Sequence, residues 1–156
     1  TDSDRQDPSF FRTKGVIKGR DGARVPLPWS GESTPFGFTT GKAWLPIAQS
    51  WSEFTVESEL ADPKSSLHLY QSALNLRKEF MNGAGEITWV QSPEHASKGQ
   101  SLLAYRRRSV TVVMNFSDTA QECAIEGKLL IVSSGTVDAH NEMKIIPARS
   151  CAWFVA

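Results

Sequence analysis

Two arginines four residues apart, Arg20 and Arg24, are the side chains in this sequence best suited to hold a polar ligand. They lie in residues 20–29, with Asp21 and Gly22 between them and two prolines and a tryptophan after them. Gly22 permits a positive φ, and each proline fixes its own φ and favours extended geometry in the residue before it. We therefore expect a stiff, non-helical loop that directs both guanidinium groups at carboxylates or sugar hydroxyls. The alternative is a surface loop in which Arg20, Asp21 and Arg24 only pair with one another.

The other residue types form no pattern for metal, nucleotide or redox chemistry. The sequence has no motif of a phosphate-binding loop, a dinucleotide-binding turn or a serine hydrolase. Cys123 and Cys151 are 28 positions apart and lack the Cys-x-x-Cys spacing of zinc and redox sites, which leaves two interpretations, buried free thiols and a disulfide. His68, His95 and His140 are scattered without metal-ligand spacing. We expect no metal and no cofactor.

The composition argues against nucleic acids and membranes as partners. The 156 residues carry 17 Lys and Arg against 17 Asp and Glu, so the formal net charge is zero and provides no general attraction to a polyanion. The one dense basic run, residues 106–108, is interpreted as a solvated strand end. No run approaches the roughly 20 apolar residues of a membrane span. No signal-peptide pattern opens the sequence, which proves little if the N-terminus is a cut end. We expect a cytoplasmic protein.

Proline and glycine recur through residues 1–61 too often for a long helix or a central strand. Aromatic residues are nevertheless dense there, and a disordered linker would contain few of them. We therefore expect a long loop whose rings pack against something outside the loop, with one helical turn over residues 50–54. The aromatic residues are Phe10, Phe11, Trp29, Phe36, Phe38, Trp44, Trp51 and Phe54.

A single long helix is predicted after residue 61. Asp62 is a good N-cap and Pro63 suits the first helical position, and apolar residues follow at helical spacing. Arg77 and Lys78 fall in the last turns, where the helix dipole favours cations, and Gly83 is a natural stop. The helix is expected to contain roughly 19 residues and to be about 28 Å long.

From residue 86 onward the apolar period changes to two. Val110, Val112 and Met114 alternate with Thr111 and Val113, which predicts a strand with one strongly buried face. Short strands at this spacing predict an antiparallel β-sandwich and a mainly β fold. The predicted strands are residues 86–91, 101–107, 110–116, 121–126, 128–133, 142–146 and 151–155.

Several motifs occur in a fixed order along the chain. Arg-Asp-Gly-Ala-Arg-Val-Pro-Leu-Pro-Trp at residues 20–29 precedes Pro-Phe-Gly-Phe-Thr at 35–39 and Trp-Leu-Pro at 44–46, and Asn-Phe-Ser follows at 115–117. This order resembles the α-glucosidase branch of the α-amylase superfamily, particularly its oligo-1,6-glucosidase type. In that branch the arginine motif follows the eighth strand of a catalytic (β/α)8 barrel.

The resemblance implies a division of the chain into two parts. Residues 1–82 would be the end of the catalytic barrel domain, with the loop after strand eight and the last barrel helix. Residues 83–156 would be the C-terminal antiparallel β-sandwich. The chain is then expected to be a C-terminal fragment, with the missing barrel as its partner.

The resemblance also implies a function and site residues. The parent would be a retaining, exo-acting α-glucosidase that hydrolyses terminal α-linked glucose from oligosaccharides. Its catalytic carboxylates match no motif of this chain, so we expect the chain alone to be inactive. Arg20 corresponds to the arginine that reaches the terminal glucose, and Arg24 to one near the acceptor side. Asp21 is expected to orient an arginine, and Trp29 to anchor the core rather than stack on a sugar.

Two other functions compete with this one. The first is a related transglucosylase, such as trehalose synthase, because the same motif serves several fates of a glucosyl-enzyme. The second is a non-catalytic carbohydrate-binding or structural β-sandwich module, which would expose planar aromatic rings on one face. We expect most of the sandwich aromatics, namely Trp89, Tyr105, Phe116, Trp153 and Phe154, to face inward instead.

Overall fold

A computed structural model of the chain describes residues 1–83, 85–91, 102–140 and 143–156. These residues form two units, Thr1–His68 and Leu69–Ala156. The boundary falls inside a helix, and the predicted domain division after residue 82 stays a prediction. Among the described residues, no helix is long and apolar enough to cross a membrane.

The unit Thr1–His68 contains only short helical elements, in keeping with its proline and glycine content. Two of them are α-helices that the sequence analysis did not predict, although each begins at a recognisable cap. The side chain of Asp7 accepts from the Ser9 N–H before the first, and that of Thr55 accepts from the Ser58 N–H before the second. The elements are α1 (Pro8–Arg12), α2 (Val56–Ala61) and 3-10 turns at Asp2–Asp4, Asp21–Ala23 and Gln49–Phe54. The last of these confirms the helical turn expected over residues 50–54.

The long helix α3 spans Ser66–Phe80 and is 15 residues long, four fewer than predicted. The prediction that Asp62 caps it is wrong, because Asp62 ends α2 and its carboxylate accepts from the Lys64 N–H. Ser65 takes that place: its Oγ accepts from the His68 N–H at 3.2 Å and donates to the Glu59 carbonyl at 2.7 Å. The cations predicted for the last turn are present there.

Two antiparallel sheets make up most of the unit Leu69–Ala156, which confirms the predicted fold class. One sheet has the strand order β1-β2-β3-β8-β5 and the other β4-β7-β6. The short polar strand β6 was not predicted, and the predicted strand starts at Ser101 and Glu142 lie outside the described residues. The strands are β1 (Ile87–Gln91), β2 (Leu102–Arg107), β3 (Val110–Asn115), β4 (Gln121–Cys123), β5 (Lys128–Val132), β6 (Asp138–His140), β7 (Met143–Ile146) and β8 (Ser150–Val155).

The central strand β3 is buried on both faces, so the prediction of a single buried face is wrong. Val113 belongs to one apolar cluster, whereas Val110 and Val112 belong to another on the opposite face. Phe116, predicted within this strand, lies beyond its end and is 66% exposed. The first cluster consists of Leu102, Ala104, Val113, Cys123, Ile125, Ile146, Ala152 and Phe154, and the second contains Met81, Val110 and Val112.

Asn115, at the end of β3, explains the Asn-Phe-Ser motif. Its buried Nδ2 donates to the carbonyls of Thr119, Ile146 and Pro147 at 2.8–3.1 Å. Its Oδ1 accepts from the backbone N–H and the hydroxyl of Ser117. One amide therefore ties the exit of β3 to the loop after β7.

Both cysteines are free thiols, so the disulfide interpretation is wrong, and of the two thiols Cys123 is buried and Cys151 half-buried. Burial raises the pKa of Cys123 to about 11 and also raises the pKa of Cys151. The described residues hold no cluster of three potential metal ligands, and His95 lies outside them. The basic run behaves as predicted, since β2 ends at Arg107 while Arg106 and Arg108 are exposed.

Candidate functional site

The arginines singled out in the sequence line one cavity of about 560 Å³ in the unit Thr1–His68. A third arginine, at the end of α1, lines it as well, and so does the buried carboxylate that caps this helix. The lining residues are Asp7, Pro8, Ser9, Arg12, Ile17, Gly19, Arg20 and Arg24. This cavity is the candidate site.

Asp7 is the residue that sequence reasoning missed. It is 4% exposed; its Oδ1 accepts from the Ser9 N–H at 2.8 Å, and its Oδ2 from the Arg20 N–H at 2.9 Å and from Nη1 of Arg24 at 3.0 Å. The Asp-Pro pair at residues 7–8 is a helix-start signal that would have flagged it, but nothing local indicates its arginine partner 17 residues away.

The same contacts keep Asp7 ionised. The backbone N–H groups of Arg20 and Ser9, acting together with the charge of Arg24, outweigh burial and lower the pKa of Asp7 from 3.8 to about 2. A carboxylate this acidic and this occupied by donors is poorly suited to act as a general acid near neutral pH. Its chemistry at this site is to accept hydrogen bonds.

Asp21 does not orient an arginine within the described structure, contrary to prediction. Its Oδ2 accepts from the backbone N–H groups of Gln6 and Asp7 at 3.1 and 3.2 Å. Its Oδ1 is buried and has no hydrogen-bond partner among the described residues. The alternative in which Arg20, Asp21 and Arg24 pair with one another is therefore wrong, because the paired carboxylate is Asp7.

The two predicted arginines differ in whether their guanidinium groups are already paired. Arg24 forms an ion pair with Asp7, whereas the exposed guanidinium of Arg20 has no partner in the part of the chain that the structure describes. An exposed arginine beside a fixed one leaves five N–H donors available to a ligand in the cavity. The arrangement can therefore hold hydroxyl or carboxylate oxygens.

The loop around these arginines is ordered in a different way from the one predicted. Gly22 does not adopt a positive φ, and the residues Asp21–Ala23 form a 3-10 turn rather than a non-helical loop. The Ala23 N–H donates to the Arg20 carbonyl at 3.0 Å, and the Arg24 N–H to the Asp21 carbonyl at 2.9 Å. Backbone hydrogen bonds thus fix the spacing of the two arginines.

Trp29 does not anchor the core of its unit, because it is 48% exposed. Its backbone N–H donates to the carbonyl of Phe36, and the ring of Phe36 is the fully buried one. Other aromatic side chains of the unit are also exposed, namely Phe11, Phe38, Trp44 and Phe54. They leave apolar surface available for burial outside the unit, and the expectation that these rings pack against something outside the loop stays a prediction.

Comparisons with known proteins give a consistent result. The family profile described as "Alpha amylase, catalytic domain" matches residues 1–83. The oligo-1,6-glucosidase of Parageobacillus thermoglucosidasius is 29% identical over 153 residues, covering 92% of this chain and 26% of that protein. A probable alpha-glucosidase of Rhizobium meliloti is 38% identical over 119 residues, covering 75% of this chain and 21% of that protein.

The structural comparison covers both units. The crystal structure of an alpha-glucosyl transfer enzyme has a TM-score of 0.74 and 27% identity, covering 99% of this chain and 29% of that enzyme. The chain spans about a quarter of the length of the curated relatives it matches.

Proposed function

This chain belongs to the α-amylase family, in its α-glucosidase branch, and from that premise we propose that it forms part of a retaining, exo-acting α-glucosidase. In this proposal the chain supplies the end of the catalytic barrel and the C-terminal β-sandwich. The substrate is an oligosaccharide with a terminal α-linked glucose.

One observation carries the proposal: Arg20 and Arg24 lie on a single cavity, one guanidinium free and the other held by Asp7. A sugar offers many hydroxyl oxygens, and a free planar guanidinium can donate to two of them at once. We assign Arg20 to the terminal glucose. Arg24, whose Nη1 is occupied by Asp7, keeps its other donors for the acceptor side.

The proposal places the bond-breaking groups elsewhere. Retaining glycoside hydrolysis uses two carboxyl groups about 5–5.5 Å apart, one as nucleophile and one as acid and base. Asp7, the carboxylate that lines the cavity, does not fit these roles because it is saturated with donors. Asp21 does not line the cavity, and its Oδ2 accepts from two backbone N–H groups. The barrel outside this chain would supply the reacting carboxylates, and the chain alone would be inactive.

The experiment is the substitution of Arg20 in the natural protein that contains this chain. Arg20→Ala should lower kcat/KM for maltose and isomaltose by about ten- to 150-fold, since a hydrogen bond to a charged group contributes about 1.5–3 kcal/mol. Arg20→Lys should recover only part of the loss, because a point charge does not reproduce the planar fork.

Arg149→Ala is the matched control. It removes an exposed guanidinium paired with Asp118 in the other unit and should leave kcat/KM unchanged. All variants must keep the melting temperature of the wild type. A folded Arg20→Ala protein within about twofold of wild type would contradict the proposal.

A transglucosylase of the same family is the second candidate. The observation that favours it is the match of 99% of this chain to an alpha-glucosyl transfer enzyme. Incubating the natural protein with maltose and a second sugar separates the candidates, because a hydrolase releases two glucose molecules per maltose, whereas a transglucosylase releases one and attaches the other to the second sugar.

A further inference from the structure

Gly19 and Asp7 approach each other more closely than any side chain at position 19 would allow. A Cβ placed on Gly19 would lie 2.5 Å from both Cβ and Cγ of Asp7 and 3.0 Å from its Oδ1. Gly19 also has a φ of +76°, which L-residues rarely adopt. The absence of a side chain at Gly19 is therefore what lets the carboxylate reach the backbone of the next residue, Arg20.

The contacts of this carboxylate extend beyond capping a helix. The N-cap of α1 needs only the bond from the Ser9 N–H to Oδ1. The other oxygen, Oδ2, accepts from the backbone of Arg20 and from the side chain of Arg24. One buried oxygen thus fixes where the Arg20 side chain leaves the main chain and where the Arg24 side chain ends.

Asp21 strengthens this connection in the opposite direction. It follows Arg20 directly, and its Oδ2 accepts from the N–H groups of Gln6 and Asp7. The residues before α1 and the 3-10 turn that Arg20 and Arg24 flank are therefore held together in both directions. Asp7 binds Arg20 and Arg24, and Asp21 binds the backbone of Gln6 and Asp7. Both carboxylates are more than nine-tenths buried, so water does not compete readily for these hydrogen bonds.

We propose that Asp7 is a positioning residue that orients Arg20 toward the sugar. It can occupy its position because Gly19 has no side chain. The inference rests on the proposed role of Arg20. It adds a partner that acts only through the arginines and touches no substrate. A displacement of about 1 Å at a substrate-binding group can cost about 100-fold in rate, so a positioning contact of this kind has a measurable kinetic effect.

The test compares two pairs of substitutions in the natural protein. Asp7→Asn keeps the shape of the side chain but removes the charge and one acceptor, while Asp2→Asn removes a nearby exposed carboxylate that pairs with Arg5 and Lys18. Gly19→Ala forces the methyl group into Asp7. Gly15→Ala is its control, since Gly15 has a similar φ of +87° but its Cβ would meet only the Phe10 ring, at 3.5 Å.

We expect Asp7→Asn and Gly19→Ala each to lower kcat/KM by about tenfold or more, while their controls stay within about twofold. Each substitution is then repeated in the Arg20→Ala background. Because a residue that acts through Arg20 has no arginine to orient there, its effect on kcat/KM should fall to less than about threefold. If Asp7→Asn does not fold, the Gly19→Ala and Gly15→Ala pair decides the outcome.

The failures are distinguishable. An Arg20→Ala protein as active as wild type overturns the proposed function itself. A large Arg20→Ala loss, combined with an Asp7→Asn effect that is absent or equally large in both backgrounds, overturns only the positioning role. In that case Asp7 is a helix cap and no more.

Discussion

The two units of this chain are stabilised by different forces. In Leu69–Ala156 both hydrophobic clusters of the described residues fill the spaces beside the central strand. In Thr1–His68 the buried apolar side chains are Pro26, Pro28, Phe36, Leu45 and Ile47, and much of the order comes from side chains that bind backbone groups. The unit with the candidate site is therefore ordered mainly by polar contacts, and the sandwich by apolar packing.

The largest expected effect is the loss of packing in the sandwich. Phe154 is 1% exposed within the first cluster, so Phe154→Ala should lower the free energy of unfolding by about 3–5 kcal/mol. Phe11→Ala, in the other unit, removes a ring that is 60% exposed and should cost about 0.5 kcal/mol or less. Urea denaturation of the chain measures both. Equal losses would remove the contrast between the units.

An acid titration gives a smaller effect, confined to the candidate site. Because the folded pKa of Asp7 is about 2, below its ordinary 3.8, the stabilisation it provides is fully present above about pH 4 and disappears as the pH falls through about 2. The groups that contact it are the Ser9 and Arg20 N–H groups and the Arg24 guanidinium.

NMR can follow this titration directly. The amide shifts of Ser9 and Arg20 should move together with a midpoint near pH 2, and those of Val113 and Ala152 in the sandwich should not follow them. In an Asp7→Asn variant the transition should vanish. A midpoint near pH 4 would mean that the carboxylate is not held as described.

Several sequence predictions failed for an identifiable physical reason. The alternation of apolar residues located most strands, but a central strand covered on both faces has no polar side to reveal it, as Val110–Asn115 illustrates. The three-residue strand β6 was missed because all of its residues are exposed, so it has no buried side chain to mark an apolar period. At the start of α3 the predicted cap was Asp62, but Ser65, another residue of a capping type three positions later, accepts the hydrogen bond from the His68 N–H.

The sequence predicted the two arginines of the candidate site but not the carboxylate that holds them. Residue type and spacing singled out Arg20 and Arg24, the resemblance assigned them to the substrate, and both line one cavity. Their partner Asp7 is 13 and 17 residues away through an irregular segment, and such a pairing leaves no period in the sequence. Gly22 was chosen for conformational freedom that the structure uses at Gly19 instead.

The smallest expected effect concerns sugar binding by the sandwich. Of its aromatic residues, Phe154 is buried and Tyr105 and Trp153 are half-buried, whereas Trp89 and Phe116 are exposed. Trp89 packs edge-on against Tyr105 with ring centroids 6.1 Å apart, which accounts for it as a structural residue.

Isothermal titration of the chain with maltose and isomaltose tests this point. Trp89→Ala should leave any heat signal unchanged, and Arg20→Ala should reduce a signal if one exists. A heat signal abolished by Trp89→Ala alone would make the sandwich a carbohydrate-binding module, with the sugar bound in Leu69–Ala156 rather than in Thr1–His68.

The free thiols of the sandwich, Cys123 buried and Cys151 half-buried, have a practical consequence for labelling. With a pKa of about 11, only about one Cys123 side chain in 10,000 is a thiolate at pH 7, and Cys151 has a raised pKa as well. Alkylating probes react with thiolates, so both native cysteines should react slowly. A single cysteine introduced on the exposed surface, for example at Ser33 or Asp118, would then accept a fluorophore or spin label with the native pair left in place.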